Sequence, residues 1–240
     1  MRSLLTLIWW LVMTPLTALW GFPWTLITGK IDAMYWAAMW VARTGVRIAG
    51  IRCKLIGLDQ LPMTTNYIFM SNHVSNIDPP LLIPLLPRRV TVMVKKELYK
   101  VPILGSAMHM ADFVPIDRSN REAAIGSIQE ASTVVEKGLD LVVFPEGTRS
   151  PDGSLLPFKK GSFHLAMDTG VPIVPVTILG TEKLLPRGAR IARPGAVSIV
   201  FHRPIDPRQF SDRDVLIAAV RESVASALPA KGGSDWDKVT

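Results

Sequence analysis

Cysteine is nearly absent from this chain, which contains a single one, Cys53, among 240 residues. One cysteine excludes an internal disulfide, so we expect a reducing compartment and assign Cys53 a packing role. Residues at metal-ligand spacing are also missing, and neither a metal site nor a bound cofactor is expected. With 48% hydrophobic residues, the chain is long enough for one sizeable core and an appendage.

Charge is missing from a long stretch at the N-terminus, between Arg2 and Lys30. Six of the seven tryptophans lie in the first 40 residues, at positions 9, 10, 20, 24, 36 and 40. At about 1.5 Å per residue the stretch is long enough to cross a bilayer, and tryptophans favour membrane interfaces. Pro15, Gly21 and Pro23 predict that it is broken into shorter helical pieces.

A second apolar helix is predicted over residues 31–42, and Arg43 and Arg47 after it suit a phospholipid headgroup layer. A buried pair of core helices is the alternative. A secretory signal also begins with an apolar stretch, but no small-residue cleavage site follows, so we expect a retained anchor. The chain then divides into a membrane-anchoring helical hairpin at 1–50, an α/β domain at 51–228 and a flexible tail at 229–240.

The formal net charge is +7, which suits an anionic membrane, an acidic carrier protein or a phosphorylated substrate. Nucleic acid is the competing partner. Its binding sites interleave basic and aromatic residues, whereas here the cations are dispersed and the tryptophans lie in an apolar segment. No nucleic-acid partner is therefore expected.

Beyond residue 50, short apolar runs alternate with helical segments, which predicts an α/β fold with a largely parallel central sheet flanked by helices. Strands are predicted near 51–57, 66–71, 90–94, 112–116, 140–144, 172–178 and 196–201. Helices are predicted over 120–137, ending at Gly138, and from near Gly161. A capping box of Ser211 and Asp214 predicts a last helix that runs to about Leu228.

The segment SNHVSNIDPP places His73 five residues before Asp78. On a regular helix the two side chains would not meet, but Pro79 and Pro80 favour a turn with a new helix just after it. His73 is then on a strand-to-helix loop, where imidazole and carboxylate form a general-base pair. The alternative is that Asp78 only caps the helix and His73 is an ordinary loop histidine.

Polar residues follow four of the predicted strands, where ligands collect in parallel α/β sheets. They are His73, then Lys95 and Lys96, then Asp117 and Arg118, then Glu146 and Arg149. Arginine holds phosphate through its planar fork and lysine adds a point charge, so this edge predicts a phosphate-binding catalytic cleft. Lys159 and Lys160, before Gly161, belong either to this cleft or to a solvated turn.

Four ordered segments resemble the phospholipid glycerol acyltransferase family, and specifically its bacterial 1-acyl-glycerol-3-phosphate acyltransferases. Asn72-His73 with Asp78 resembles the family's NHxxxxD box. The other three segments are FVPIDR at 113–118, FPEGTRS at 144–150 and VPIVPV at 171–176. The order of these motifs is more specific than any one of them.

The resemblance implies transfer of a fatty acyl group from acyl-coenzyme A or acyl carrier protein to the 2-hydroxyl of lysophosphatidic acid, giving phosphatidic acid. His73 would be the general base and Asp78 would orient it. Phosphate would be held by Arg118, Arg149 and Lys95. The site would be shaped by Asn72, Glu146, Gly147, Thr148 and Lys159. Glu146 has an alternative role as a structural partner of one of the arginines.

We expect this enzyme to sit on the cytoplasmic face of the inner membrane, either in one leaflet or through a single or hairpin anchor. Three other functions remain open: an acyltransferase for another acceptor, such as a lyso-aminolipid or glycerol phosphate, a hydrolase that uses water, and a noncatalytic module that binds anionic lipid.

Overall fold

The computed structural model describes residues 2–117, 121–186, 188–189 and 191–229. The helices in this part of the chain are α1 (Arg2–Thr28), α2 (Asp32–Ile48), α3 (Asp78–Leu85), α4 (Leu104–Met110), α5 (Arg121–Glu136), α6 (Gly161–Thr169), α7 (Thr181–Leu184) and α8 (Arg213–Ser226). The strands are β1 (Ile51–Ile56), β2 (Ile68–Ser71), β3 (Val90–Lys95), β4 (Val114–Ile116), β5 (Asp140–Val143), β6 (Ile173–Leu179) and β7 (Gly195–Phe201).

The strands form one sheet in the order β1-β7-β6-β2-β5-β3-β4. From β6 through β2, β5 and β3 to β4 all neighbours are parallel. β7 is antiparallel to β6, and β1 is parallel to β7. The predicted largely parallel sheet is confirmed, and the carboxyl ends of β2, β3, β4 and β5 share one edge.

Helices cover both faces of the sheet, because its central strands are apolar on both sides and need two layers. On one face α2 and α3 pack over a core that includes Leu82, Val176 and Ile199. On the other face α5, α6 and α8 cover a core that includes Phe163 and Leu216. Each fully buried side chain of this size contributes roughly 1.5–3 kcal/mol.

The structure confirms the predicted end of α5 and corrects the predicted start of α8. α5 stops just before Gly138, whose φ of 91° suits glycine and ends the helix as predicted. The predicted capping box of α8 is wrong, because Asp212 and not Ser211 is the N-cap. Asp212 accepts the amides of Asp214 and Val215, and its negative charge also favours a helix start.

The predicted breaks in the first helix are wrong, because α1 is continuous through Pro15 and Pro23. Proline keeps a helical φ and removes one backbone hydrogen bond, and packing of α1 along α2 supports the helix through these positions. Two glycines let α1 and α2 approach closely. A Cβ on Gly21 would lie 2.5 Å from Met34 Cγ, and one on Gly45 would lie 2.9 Å from Trp10 Cε2.

The antiparallel pair of α1 and α2 has two different faces. α2 lies against the domain, where its Met39 and Val46, with Ala49 directly after it, pack against the core that includes α3 and β1. α1 instead exposes large apolar side chains along its length, including Leu19 at 75% and Ile27 at 84%. Among the described residues α1 is the one helix whose length and composition suffice to cross a membrane.

Candidate active site

His73 and Asp78 meet at the carboxyl end of β2. His73 Nδ1 lies 2.7 Å from Asp78 Oδ2, and both residues are buried, at 8% and 0% exposure. The five-residue spacing works because the loop turns back between them, where the amide of Asp78 donates to the carbonyl of Ser75 at 3.3 Å. The predicted strand-to-helix loop is confirmed.

The carboxylate of Asp78 accepts three further hydrogen bonds. The amides of Val74 and Ser75 donate to Oδ2, each at 2.8 Å, and the hydroxyl of Thr181 donates to Oδ1 at 2.6 Å. Asp78 is the first residue of α3 rather than its N-cap, and its side chain folds back to the loop that precedes the helix. A buried carboxylate with this many donors is held in one orientation, and it holds the imidazole in turn.

Asn72 fixes the position of the loop relative to β6. Its side-chain amide donates to the carbonyl of Ile178 at 2.9 Å, and its side-chain oxygen accepts the amide of Ile178 at 2.7 Å. The pair extends the pairing of β2 with β6 beyond the end of the strand. Asn72 therefore has a structural role next to His73, because both polar groups of its side chain bond to the backbone of Ile178.

Glu146 joins three segments of the site. Its Oε1 accepts the amide of His73 at 2.8 Å, and its Oε2 accepts the amide of Leu156 at 3.1 Å. Burial raises the pKa of the Glu146 carboxyl to about 7, against the two amide hydrogen bonds, which lower it. Glu146 makes no ion pair with an arginine in the described part of the chain, so the partners found are backbone amides instead of a guanidinium.

The His73 ring packs against the start of the loop after β5. Phe144 packs against the imidazole, with the ring centroids 4.3 Å apart. The amide of Ser150 donates to the carbonyl of His73 at 2.8 Å, which ties the two loops together. Because Nδ1 is bonded to Asp78, Nε2 is the ring nitrogen left to meet a substrate proton.

Of the predicted phosphate ligands, Arg149 is placed best. It is half-buried, neighbours Ser150 at the contact with the His73 loop, and forms no ion pair with a described carboxylate. Lys95 ends β3, which lies two strands from β2 in the sheet. At the usual strand spacing this puts its backbone about 10 Å from the end of β2, where His73 lies. Its side chain is 61% exposed and lies 3.6 Å from Glu97. Arg118 lies outside the described residues.

The remaining predicted residues lie in the segment between Glu146 and the start of α6. Gly147 has a φ of 68°, and a Cβ there would lie 2.7 Å from Lys159 Cε, so the lysine side chain crosses the glycine. Both residues line a cavity of about 430 Å³ with Phe144 and Pro145. Thr148 is exposed. Lys160 is engaged elsewhere, since its Nζ lies 2.8 Å from Asp214.

A second cavity, of about 410 Å³, was not predicted from the sequence. It is almost wholly apolar and lies between the α1–α2 pair, the first turn of α3 and residues 98–113. Pro79 and Pro80, directly after Asp78, form part of its wall. Two small residues of α2, Ala38 and Ala42, line the cavity. They are the sequence feature from which it could have been predicted, because small side chains leave room between helices.

A family model described as Acyltransferase matches residues 52–179, more than half of the chain. The chain belongs to the acyltransferase family. The matched range of this acyltransferase includes His73, Asp78 and the loop from Phe144 to Ser150, together with both strands that Asn72 links.

Curated relatives have a consistent name. Over 225 residues this acyltransferase is 38% identical to the 1-acyl-sn-glycerol-3-phosphate acyltransferase of Limnanthes douglasii, covering 92% of this chain and 77% of that protein. Over 174 residues it is 37% identical to the chloroplastic 1-acyl-sn-glycerol-3-phosphate acyltransferase BAT2 of Brassica napus, covering 72% of this chain and 49% of that protein. The chain thus spans about half the length of several curated relatives.

A solved structure is similar over nearly the whole chain. It is the crystal structure of the 1-acyl-sn-glycerophosphate (LPA) acyltransferase, PlsC, from Thermotoga maritima, with a TM-score of 0.78 and 28% identity. The match covers 96% of this acyltransferase and 100% of that chain. It therefore includes most of the N-terminal helices, which precede the family range.

Proposed function

We propose that this acyltransferase transfers a fatty acyl group from a thioester donor to the 2-hydroxyl of 1-acyl-glycerol-3-phosphate, giving phosphatidic acid. The observation that carries the proposal is the buried hydrogen bond of 2.7 Å between His73 and Asp78 at the sheet edge. The names of the relatives support the choice of acceptor. The donor is acyl-coenzyme A or acyl carrier protein.

The geometry supports general-base catalysis without a protein nucleophile. Asp78 keeps the Nδ1 proton on the imidazole, so Nε2 takes the proton of the acceptor hydroxyl as its oxygen attacks the thioester carbonyl. The tetrahedral intermediate then collapses, the carbon–sulfur bond breaks, and the imidazolium returns the proton to the leaving thiolate. Asp78 stabilises the imidazolium through its negative charge. The enzyme ends in its starting state, and the products are phosphatidic acid and a free thiol.

Arg149 is the residue that we assign first to the phosphate of the acceptor. A half-buried guanidinium next to the His73 loop, without a carboxylate partner among the described residues, suits bidentate contact with phosphate. Arg118 follows β4 in sequence and is assigned the same role. Lys95 is also assigned to the phosphate, although it lies farther from His73 than Arg149 does. Glu146, Gly147, Thr148 and Lys159 shape this side of the site, and Asn72 holds the base in position.

The apolar cavity suits a fatty acyl chain. It begins beside Pro79, one residue after Asp78, and continues between α1 and α2, so a chain bound there has its carbonyl end close to the base. Its outer wall continues into an exposed apolar patch formed by Leu98, Val101, Ile103 and Leu104. We assign this patch and α1 to contact with the membrane, with the domain on the cytoplasmic face and residues 1–50 as the anchor.

The decisive experiment measures transfer from labelled acyl-coenzyme A to lysophosphatidic acid by the His73→Ala variant in mixed micelles. We expect a loss of about 10² to 10⁴ in rate, the usual contribution of a general base. The matched control is His109→Ala, which removes an exposed histidine of α4. Undiminished transfer by His73→Ala would overturn the mechanism.

The choice of acceptor is tested separately. We expect Arg149→Gln to raise KM for lysophosphatidic acid and to leave KM for the acyl donor nearly unchanged, because the arginine contacts the phosphate of the acceptor. The unmodified enzyme should turn over 1-acylglycerol, which lacks phosphate, far more slowly than lysophosphatidic acid. Equal rates on both acceptors would favour one of the other acyl acceptors, and thiol release without a lipid product would favour a hydrolase.

A further inference from the structure

A third cavity, of about 290 Å³, lies between the end of α2, the start of β1 and α3, and Pro80 and Pro84 separate it from the apolar cavity described above. Its floor is apolar and includes Leu81 and Pro84. Three arginines surround that floor: Arg43 and Arg47 from α2 and Arg52 from β1. We call this the arginine pocket.

The arginine pocket is lined by positive charge, and the described residues place no negative charge in its wall. No carboxylate lines it, and none of its three arginines forms an ion pair within the described ranges. Arg43 donates through Nε to the carbonyl of Pro84, which fixes one guanidinium at the pocket wall. Arg47 also suits the negative end of the α2 dipole, but that explanation does not extend to Arg52, which lies on a strand.

The residues beside the pocket indicate where it would lie relative to a bilayer. Trp36, Trp40, Arg43 and Arg47 follow one another along one face of α2, at the spacing of successive helical turns. Both tryptophans are exposed, at 38% and 52%. Tryptophan prefers the boundary between acyl chains and headgroups, and arginine prefers the level of the phosphates. The pocket therefore opens where phosphates of a membrane would lie.

A fourth cation lies close to the same end of the hairpin. A Cβ on Gly50 would be 2.5 Å from Arg2 Nη1, which places the start of α1 beside the end of α2. The long apolar surface of α1 continues directly from this basic end. A ligand with an anionic head and apolar chains matches this succession of charge and apolar surface.

We propose that the arginine pocket binds the headgroup phosphate of an anionic membrane phospholipid, separately from the acceptor. The guanidinium groups hold the phosphate oxygens, and the acyl chains lie along the exposed side chains of α1 and the two tryptophans of α2. An apolar floor and a neighbouring lipid-facing helix favour a lipid over a soluble phosphate. The bound lipid fixes the depth of the domain at the membrane surface.

Cys53 provides a direct readout, because it lines the pocket and is the only cysteine of the chain. The rate of its alkylation by a maleimide is measured in neutral detergent micelles that contain phosphatidylglycerol or phosphatidylcholine. Phosphatidylglycerol is an anionic phosphodiester that is neither the substrate nor the product proposed above. Burial raises the pKa of the Cys53 thiol, so labelling is performed at pH 8.5 to obtain enough thiolate.

We expect phosphatidylglycerol to slow alkylation at least fivefold and phosphatidylcholine to leave it unchanged. Arg47→Gln or Arg52→Gln should each weaken the apparent affinity for phosphatidylglycerol about fivefold, the usual share of one arginine at an anionic surface. Arg47→Lys, which retains the charge and removes the planar fork, should give an intermediate loss. Arg203→Gln is the matched control, since it removes an exposed arginine outside the pocket and should leave protection intact.

Equal alkylation rates in both micelles, or protection that survives Arg47→Gln and Arg52→Gln, would overturn the proposal. Adenosine 3′,5′-bisphosphate, the nucleotide end of coenzyme A, tests the soluble source of phosphate. Protection by this nucleotide in micelles without phosphatidylglycerol would reassign the pocket to the acyl donor. His73→Ala should retain full protection by lipid, so failure of the proposed reaction and failure of this proposal have different outcomes.

Discussion

The His73 loop and the N-terminal hairpin are stabilised in opposite ways. From Asn72 to Asp78 the loop is fixed by hydrogen bonds of 2.6–2.9 Å, each between named atoms. The hairpin instead depends on broad apolar contact and close approach at glycine, with a single indole bond from Trp9 Nε1 to the carbonyl of Val41. We therefore expect exchange of one atom to have a large effect in the loop and a small one in the hairpin.

Asp78→Asn should produce the largest effect. Its remaining oxygen can accept from His73, Val74 and Ser75, and its amide can donate to the hydroxyl of Thr181, so the fold is retained. The negative charge that stabilises the imidazolium is lost, and we expect transfer to fall about 10²- to 10⁴-fold. Initial rates in mixed micelles and a thermal melt measure the two effects. A rate within tenfold of the unmodified enzyme would contradict the assigned role.

Asn72→Ala should come second. It leaves the amide and the carbonyl of Ile178 buried without their partner, which costs roughly 1–3 kcal/mol for each group. We expect the free energy of unfolding to fall by about 2–6 kcal/mol, with loss of activity because the base is no longer held. Chemical denaturation in detergent measures the change. Asn76→Ala, at an exposed asparagine of the same loop, is the control and should have little effect.

Glu146→Gln should change how stability depends on pH. The folded-state pKa of about 7 lies above the value of 4.5 for a free carboxyl, so the folded state binds the proton more tightly. Stability from this group is fully present below pH 4.5 and falls as pH rises to about 7. The variant lacks this dependence, so its stability relative to the unmodified enzyme should improve across that range. Unfolding curves at successive pH values test this, and parallel profiles would contradict it.

Trp9→Phe should produce the smallest effect. The substitution removes the bond to Val41 and retains an aromatic ring for the edge contact with Trp40, whose centroid lies 5.4 Å away. We expect a loss of about 1 kcal/mol in unfolding free energy and unchanged partition into vesicles. Flotation with lipid vesicles and denaturation measure both. A loss as large as that of Asn72→Ala would show that the hairpin also depends on single bonds.

The contrast between local apolar packing and long-range hydrogen bonds explains which features could be predicted from the sequence. Strands and α5 depend on local apolar patterns, so their places and the shared edge with His73 were predicted correctly. The partners of the loop were not, because Ile178 and Thr181 lie more than a hundred residues after it. The continuity of α1 was also missed, since local proline rules do not include the support of a neighbouring helix. Arg118 stays a prediction, made from its place after a predicted strand and from the order of the motifs.

The pairing of β1 with β7 has a consequence for the order in which the protein forms. β1 directly follows the hairpin, yet its one neighbour in the sheet begins at Gly195. During synthesis the tryptophan-rich helices leave the ribosome well before that neighbour, by on the order of ten seconds at about 5–20 residues per second. With residues 1–50 as the proposed anchor, the nascent chain would reach lipid while its first strand still lacks a partner, and attachment would precede completion of the α/β domain.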